Sequence, residues 1–395
     1  MITLIKNVEL YTPEKQGKKD LLIVAGQFVA FKDSIDLPPI DAIEVTIIDG
    51  EGKIAVPGFI DSHVHILGGG GEGGYKTRTP EITFTDLTRS GVTTVVGCLG
   101  TDGVTRDMMS LVAKARGLEE EGLTTFVYTG SYQIPVKALT TSITKDLLAI
   151  DKIIGVGEIA LSDHRSSQPT FEEFLKVVSE ARVGGMLSGK AGIVNIHLGD
   201  GSRTIDYLIK AVKETEIPIT QFLPTHINRN NDVFTKCIEY AKMGGYIDFT
   251  GSEDSDFWEK QDGEVKVSKG IKRLIEEGVA LDNFTMSSDG QGSLPLFNEK
   301  KEYIGLQVGS ALCLLKEIKD CVLNAGIPLE IAIKAITDNP AKILKLTKKG
   351  KISEGFDADL CLLDRKTLDL NAVMAKGKWV IKDGLPIVYG TFEKR

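Results

Sequence analysis

Short apolar runs rich in β-branched residues alternate with amphipathic stretches from residue 55 onward. In stretches such as 106–122 and 170–187 the apolar residues recur every three or four positions, which is typical of helices packed against a core. Strand followed by helix, eight times, predicts a parallel (β/α)8 barrel of the α/β class. The eight runs are "GFIDSHVH" (58–65), "TTVVGCLG" (93–100), "TTFVYTGSY" (124–132), "IIGVGEIAL" (153–161), "IVNIHLG" (193–199), "ITQFLPTHI" (219–227), "GYIDFTG" (245–251) and "FTMSSDG" (284–290).

The two ends of the chain have a different pattern. Residues 1–56 and 349–395 read as short strands separated by glycine-containing turns. Neither end has enough strands for a stable sheet alone, so we predict that they combine in one small β-sandwich. The expected domains are the N-terminal part of the sandwich (1–56), the barrel (57–348) and the C-terminal part of the sandwich (349–395). Helices predicted at 306–325 and 328–345 would lead the chain back from the barrel to the sandwich.

Composition narrows the partners that we expect. The chain has 47 basic and 55 acidic residues, a net charge of −8 and no long basic run, which argues against nucleic acid or an anionic membrane as a partner. Its N-terminal residues lack the apolar stretch of a signal peptide, and no segment is long enough to span a bilayer. Five cysteines are scattered without metal-type spacing, which predicts reduced, buried thiols in a cytoplasmic protein.

Polar residues with metal-binding chemistry stand at the ends of the predicted strands. His63 and His65 are one residue apart and would project from the same side of a strand. In a barrel, the C-terminal ends of the strands form one rim, where active sites lie. Imidazole suits zinc and a carboxylate can bridge two cations, so the pattern predicts a dinuclear metal site. The candidate ligands are His63, His65, Glu158, His197, His226 and Asp289.

Each of these residues also has an ordinary structural interpretation. A single histidine at a strand end is commonly a hydrogen-bonded core or loop residue. Glu158 is also compatible with a buried ion pair, and Asp289 precedes a glycine, as a turn or helix-cap aspartate does. Those interpretations need a separate reason for each residue, whereas a metal site accounts for all of them together.

Longer motifs resemble known families. "PGFIDSHVH", the His–Asp spacing and the tail "NPAKILKLTKKGKISEGFDADLCLLD" are similar to the amidohydrolase superfamily over nearly the whole chain. Within it, "SDHRS", "PTHINR" and "SSDGQGS" resemble the isoaspartyl (β-aspartyl) dipeptidases. The resemblance implies a barrel with a small β-sandwich, two Zn²⁺ ions (or other divalent metals) and hydrolysis of the β-peptide bond of β-aspartyl dipeptides. It also implies a homo-oligomer, often an octamer.

The resemblance divides the ligands between two metals, with His63, His65 and Asp289 on one and His197 and His226 on the other. Most of the family bridges its metals with a carbamylated lysine, and Glu158 stands at the matching place. A carbamate and a carboxylate each offer two oxygens and one negative charge. We therefore hypothesise that this site assembles without CO₂; the alternative is that Glu158 ligates weakly and only one metal binds firmly.

Catalytic roles follow from the same resemblance. Asp289 would take the proton of the attacking water and pass it to the leaving nitrogen, and Tyr132 would stabilise the oxyanion. A tyrosine that only packs at the barrel rim is the alternative for Tyr132. His164, in "SDHRS", would either support a ligand or only pack.

Substrate selectivity requires charges beside the metals, because a β-aspartyl substrate has a free α-amino group and a free α-carboxylate near the scissile bond. A guanidinium pairs well with a carboxylate, and a carboxylate on the "GGGGEGG" loop would pair with the ammonium. Without the resemblance, the arginines read as surface ion pairs and the loop glutamate as a solvated charge. Positions that match the family's substrate-binding residues are Glu72, Arg165, Arg229 and Ser293, and Thr101 and Tyr132 are further candidates.

Three other functions are open at this point. A dihydroorotase, a hydantoinase or an N-acyl-amino-acid deacylase shares the barrel, the sandwich and the His-x-His motif. "IGVGEIAL" is also similar to TatD-type nucleases, although these lack the flanking sandwich segments and the negative charge suits nucleic acid poorly. A non-enzymatic scaffold would keep the fold and lose the ligands, whereas every ligand position here is filled.

Overall fold

The N-terminal end of the chain forms strands before the barrel begins. The computed structural model describes residues 2–37, 44–298 and 302–395. Within them, the strands that precede the barrel are Ile2–Tyr11 (β1), Lys15–Val24 (β2), Gln27–Lys32 (β3), Val45–Asp49 (β4) and Lys53–Pro57 (β5).

Eight parallel strands of the described chain follow and close into a barrel. They are Phe59–Val64 (β6), Val92–Gly97 (β7), Thr124–Thr129 (β8), Ile153–Leu161 (β9), Ile193–Leu198 (β10), Phe222–Thr225 (β11), Ile247–Thr250 (β12) and Phe284–Ser287 (β13). Strands β6 to β11 pair in chain order, and β12 pairs with β13. The barrel closes where the His65 amide donates to the Gly290 carbonyl at 2.9 Å. All eight predicted runs contain a strand, so the predicted barrel is confirmed.

Helices cover the outside of the barrel and explain why its strands are apolar throughout. Strand β9, for example, is buried at every position because one face meets the barrel interior and the other meets helices. Local capping defines where helices begin: the Thr170 and Glu173 side chains form a reciprocal capping box. The helices between the barrel strands are Phe84–Thr88 (α1), Met108–Glu121 (α2), Ile143–Ala149 (α3), Phe171–Ser188 (α4), Asp206–Glu214 (α5), Asn231–Lys242 (α6), Ser255–Asp262 (α7) and Val267–Glu276 (α8).

The segment after the barrel differs from its prediction. A hairpin of Ser293–Phe297 (β14) and Tyr303–Val308 (β15) comes first, so the helix predicted at 306–325 is wrong at its start. That helix covers Cys313–Lys319 (α9) and continues as a wider turn over Asp320–Asn324. The helix predicted at 328–345 is interrupted and forms Leu329–Lys334 (α10) and Asp338–Ile343 (α11). Pro340 lacks the N–H that a continuous helix needs there.

The C-terminal strands return to the N-terminal ones. They are Leu360–Asp364 (β16), Leu370–Ala375 (β17), Lys378–Lys382 (β18) and Leu385–Pro386 (β19). Antiparallel pairing of β16 with β5 joins both ends in one sheet, which has nine strands among the described residues. The sheet folds over on itself, because the β2–β3 turn at Gly26 meets the β17–β18 turn at Gly377 and a shared apolar core lies between. The predicted β-sandwich is confirmed, while the domain bounds at 57 and 349 stay predictions.

The helices and cysteines of the described residues agree with two further expectations. None of their helices has the length and apolar character needed to cross a membrane. The five cysteines are free and buried, as their scattered positions predict.

Candidate metal and substrate site

The predicted ligands converge at the C-terminal rim of the barrel. They stand on or directly after strands β6, β9, β10, β11 and β13, and Glu158 lies at the centre of the group. The distances to its Oε2 are 2.8 Å from His63 Nε2, 3.5 Å from His197 Nδ1 and 3.5 Å from His226 Nε2. His65 Nε2 lies 3.0 Å from Asp289 Oδ1 and 3.8 Å from Glu158 Oε1.

Several of these atoms are buried without a hydrogen-bond partner in the described chain. They are His63 Nε2, both carboxylate oxygens of Glu158 and Asp289 Oδ1. A buried polar atom is costly unless something pairs with it, and here the unpaired atoms are all ligand types that face one another. His63, Glu158 and His226 bring one such atom each within 4.8 Å of the others. This donor set fits a divalent cation.

Hydrogen bonds from behind fix which nitrogen each histidine presents. His63 Nδ1 lies 3.0 Å from Asn195 Oδ1, and His226 Nδ1 lies 2.6 Å from Thr250 Oγ1. Both residues therefore direct Nε2 at Glu158. His197 is reversed, since its Nε2 lies 3.0 Å from Asp163 Oδ2 and its Nδ1 faces Glu158. Such bonds set the tautomer and orientation of metal-binding histidines.

Electrostatics keeps the two carboxylates and the His226 imidazole in the protonation states that cation binding needs. Burial raises the pKa of Glu158, but the neighbouring histidines, His63 foremost, hold it well below its usual value. Burial acts in the same way on Asp289, and the His65 imidazole, 3.0 Å from its Oδ1, outweighs it and lowers the pKa to about 2. Burial lowers the pKa of His226 to about 3, which keeps that imidazole neutral. The Glu158 and Asp289 carboxylates and the neutral His226 imidazole can therefore bind a cation without first losing a proton.

Two of the candidate ligands have an uncommon backbone conformation. His226 has φ 62° and Asp289 has φ 51°, in the left-handed region that non-glycine residues seldom adopt. Residues held in such conformations concentrate at functional sites, where the surrounding structure fixes them.

A cavity of about 250 Å³ opens directly above the ligands. The structure brings all the predicted substrate residues to its wall, together with His65, His197 and Asp289. Those substrate residues are Glu72, Thr101, Tyr132, Arg165, Arg229 and Ser293. Their placement is as the motifs suggested, and their roles stay predictions.

Charged groups are paired across this cavity. Arg165 is held by Asp163 through two hydrogen bonds, of 3.0 Å from Nε and 2.8 Å from Nη2, and its Nη1 lies 3.2 Å from Glu72 Oε1. The same Glu72 oxygen accepts from Thr101 Oγ1 at 2.8 Å. Burial would raise the pKa of Glu72, and the donors Thr101 and Arg165 lower it on balance, so the carboxylate is ionised.

Tyr132 lies between this charged pair and the ligands. Its hydroxyl is 2.9 Å from His197 Nδ1, and the Arg165 guanidinium stacks over its ring at 5.3 Å. Burial and the nearby Glu158 carboxylate raise the pKa of Tyr132 well above its usual value. The hydroxyl therefore keeps its proton and is available as a donor beside the ligands.

Comparison with known proteins shows the family to which the chain belongs. The model of the amidohydrolase family matches residues 54–382. The chain belongs to that family. A β-aspartyl dipeptidase from the thermophilic, keratin-degrading Fervidobacterium islandicum AW-1, solved in complex with β-Asp-Leu, is 48% identical with a TM-score of 0.90, covering 98% of this chain and 97% of that one.

More distant proteins are also similar to this amidohydrolase, one in its solved fold and one in its sequence. A D-hydantoinase structure is 19% identical with a TM-score of 0.69, covering all of this chain (100%) and 98% of its own. A deacetylase from Brucella anthropi is 24% identical over 389 residues, which are 95% of this chain and 87% of the relative.

The motifs did not indicate every residue of the site. Asp163, one residue before His164 in "SDHRS", contacts both Arg165 and His197, whereas the His164 side chain is exposed and supports no ligand. Asn195 could have been found, because it precedes His197 by two positions and so shares its strand face. Cys98, 3.7 Å from His65 Nδ1, had no signal, since it lies within an ordinary apolar run.

Arg106 is another residue that the amidohydrolase motifs did not indicate. This buried arginine lines the cavity and donates to the carbonyls of Leu67 and Thr79, at 3.0 Å and 3.1 Å. The two carbonyls flank the glycine-rich segment that carries Glu72. Arg106 therefore fixes the base of that loop.

Proposed function

We propose that this amidohydrolase is a metal-dependent dipeptidase that hydrolyses the isoaspartyl bond of β-aspartyl dipeptides. The observation that carries the proposal is the cavity, in which a carboxylate and a guanidinium lie side by side above unpaired metal-ligand atoms. The resemblance to the Fervidobacterium protein supports it, because that protein was solved with a β-aspartyl dipeptide.

Two divalent cations, which we propose to be Zn²⁺, would be held by the converging ligands. His63, His65 and Asp289 would hold one and His197 and His226 the other, with Glu158 between them. Bound there, the cations would lower the pKa of a water molecule and polarise the scissile carbonyl.

Proton transfer would be the task of Asp289. A pKa of about 2 leaves its carboxylate ionised at neutral pH, so it can accept the proton of the attacking water and deliver it to the leaving nitrogen. Tyr132, protonated and directed at the ligands, would donate a hydrogen bond to the oxygen that becomes negative in the transition state.

Recognition of the aspartyl group would rest on Glu72 and Arg165. Their charged atoms are 3.2 Å apart, so they suit an ammonium and a carboxylate on the same carbon. A β-linked aspartyl group has that arrangement. In an α-linked dipeptide the α-carboxyl group is the scissile amide, and the free carboxylate lies one carbon further away. Arg229 and Ser293 would bind the carboxylate of the leaving residue.

The test is hydrolysis of β-Asp-Leu and α-Asp-Leu by zinc-loaded protein, with a chelator-treated sample and zinc added back. We expect cleavage of the β-dipeptide at least 100-fold faster than the α-dipeptide, lost on chelation and restored by zinc. Zinc binding without cleavage of the β-dipeptide would overturn the substrate and direct the search to cyclic ureides and N-acyl amino acids.

We also propose a homo-oligomer, an octamer by resemblance, in the cytoplasm. Free, buried cysteines suit a reducing compartment. Light scattering coupled to size exclusion would measure the number of copies directly.

A further inference from the structure

The ion pair between Glu72 and Arg165 blocks the group that a substrate carboxylate would need. Asp163 engages Arg165 through Nε and Nη2, and Nη2 also lies 3.1 Å from His197 Nε2. The nitrogen left for a ligand is Nη1, and Glu72 Oε1 lies 3.2 Å from it. A carboxylate of the chain itself therefore stands where a carboxylate of the substrate would bind.

The two partners of this ion pair differ in how firmly they are held. Arg165 is fixed by the two bonds from Asp163 and by stacking on the Tyr132 ring. Glu72 belongs to the glycine-rich segment, in which Gly70, Gly71 and Gly74 all have positive φ, and its side chain is 36% exposed. Since glycine allows the backbone to change conformation at little cost, Glu72 is the partner that can move.

We infer that Glu72 acts as an internal substitute for the substrate's α-carboxylate and releases Arg165 only to a ligand that also brings an ammonium group. The inference deepens the proposed function and rests on it. A ligand with both charges replaces one ion pair by two, because its carboxylate takes Arg165 while its ammonium takes Glu72. A ligand with a carboxylate alone must displace Glu72 and leaves the Glu72 carboxylate without its cationic partner.

Because the internal ion pair is exchanged for two ion pairs with the ligand, ligand selectivity depends on Glu72 and Arg165 together rather than on either residue alone. The exchange favours ligands with the zwitterionic head of an α-amino acid. Two analogues of β-Asp-Leu each carry half of that head: N-succinyl-leucine lacks the amino group, and β-alanyl-leucine lacks the α-carboxylate. Competition from Glu72 is specific to the first of them, so N-succinyl-leucine is the informative probe.

The experiment compares Glu72→Gln with the wild type, both zinc-loaded. The substitution removes the competing charge and also removes the partner of the ammonium. We therefore expect N-succinyl-leucine, titrated by calorimetry, to bind the variant about three- to tenfold more tightly, in the range of a partly exposed charged pair. The KM for β-Asp-Leu should rise at least tenfold in the same variant.

In Glu72→Gln, tighter binding of N-succinyl-leucine together with a higher KM for β-Asp-Leu distinguishes this inference from simpler roles of Glu72. If Glu72 bound only the ammonium, its removal would leave the affinity for N-succinyl-leucine unchanged, and if it only ordered the loop, both ligands would bind more weakly. Either result overturns the inference. Glu81→Gln is the matched control, since it removes the same charge from an exposed side chain that pairs with Lys114 outside the cavity. It should change neither value.

A failure of the inferred ion-pair exchange can be distinguished from a failure of the proposed function. If wild-type protein does not hydrolyse β-Asp-Leu, the proposed function and the inference that rests on it both fail. If it does hydrolyse β-Asp-Leu and Glu72→Gln does not bind N-succinyl-leucine more tightly, only the exchange of ion pairs is wrong.

Discussion

At the scale of single residues, we propose that Glu158 allows the metal site to assemble without CO₂. It is fully buried on β9, among three histidines, at the place that the sequence resemblance matches to the carbamylated lysine of most of the family. A carboxylate is already anionic there, because its pKa is held well below the usual value.

We expect zinc to restore full activity to metal-free protein in bicarbonate-free buffer, with less than a twofold gain when bicarbonate is added. Recovery of β-Asp-Leu hydrolysis in the two buffers measures this. A strong dependence on bicarbonate would mean that a lysine elsewhere supplies the bridging group.

Asp163 connects a proposed substrate residue with a proposed metal ligand, since its one carboxylate contacts both Arg165 and His197. Asp163→Asn keeps the shape and removes the charge. We expect the KM for β-Asp-Leu to rise about tenfold and the zinc affinity to fall 10- to 100-fold, as for other groups that orient a ligand histidine. Chelator competition gives the zinc affinity. His164→Gln, the exposed neighbour, is the control and should leave both values unchanged.

The convergence of the candidate ligands could be predicted from sequence because a barrel places strand ends on one rim, so position along the chain gives position in space. His63, His197 and Asp289 all follow this rule. Asp163 and Arg106 do not, because they act from loops whose path depends on tertiary contacts. A loop residue has no periodicity that would reveal which carbonyl or imidazole it reaches.

At the scale of elements, the glycine-rich segment depends on Arg106 for its position. Its two bonds to the carbonyls of Leu67 and Thr79 are made from a side chain that is only 6% exposed. Arg106→Met would free both carbonyls. We expect faster hydrogen exchange over residues 68–79 and at least a tenfold rise in the KM for β-Asp-Leu with a smaller change in kcat.

Arg106→Lys keeps the positive charge and one donor nitrogen. It should bring the KM part of the way back to the wild-type value. Arg116→Met is the control, because Arg116 is exposed and pairs with Asp151 away from the loop. If hydrogen exchange over residues 68–79 were the same in Arg106→Met as in the wild type, the anchoring role of Arg106 would be contradicted.

The hairpin β14–β15 shows where sequence patterns fail for an element. Residues 303–308 read "YIGLQV", and their apolar positions fit either a strand or the first turns of the helix that follows. Pairing with Ser293–Phe297 decides in favour of the strand, and that partner is not visible in a local pattern. The hairpin matters for the candidate site, because Ser293, a predicted substrate residue, is its first residue.

At the scale of the whole molecule, a buried carboxyl group makes stability depend on pH. Burial raises the pKa of Glu317 from 4.5 to about 7, and its side chain is only 1% exposed. The folded state therefore holds this proton more tightly than the unfolded state. That contribution is present at low pH and is lost as the pH rises from about 4.5 through about 7.

Glu317→Gln mimics the protonated group at every pH. We expect it to match the wild type near pH 4.5 and to be more stable above pH 8 by up to about 3 kcal/mol, the equivalent of the shift. Urea unfolding at several pH values measures the difference. Glu120→Gln, an exposed site on α2, is the control. A constant difference at all pH values would mean that the proton on Glu317 plays no part.

Pairing of β16 with β5 joins two strands that all of residues 58–359 separate. During synthesis the ribosome releases β5 long before β16 exists, so the nascent chain carries an open sheet edge while the barrel is being made. The first domain to begin is thus the last to be completed. A premature stop or a cut near residue 349 would leave the candidate metal ligands in place and still expose that edge, so damage at the C-terminal end would become visible as aggregation.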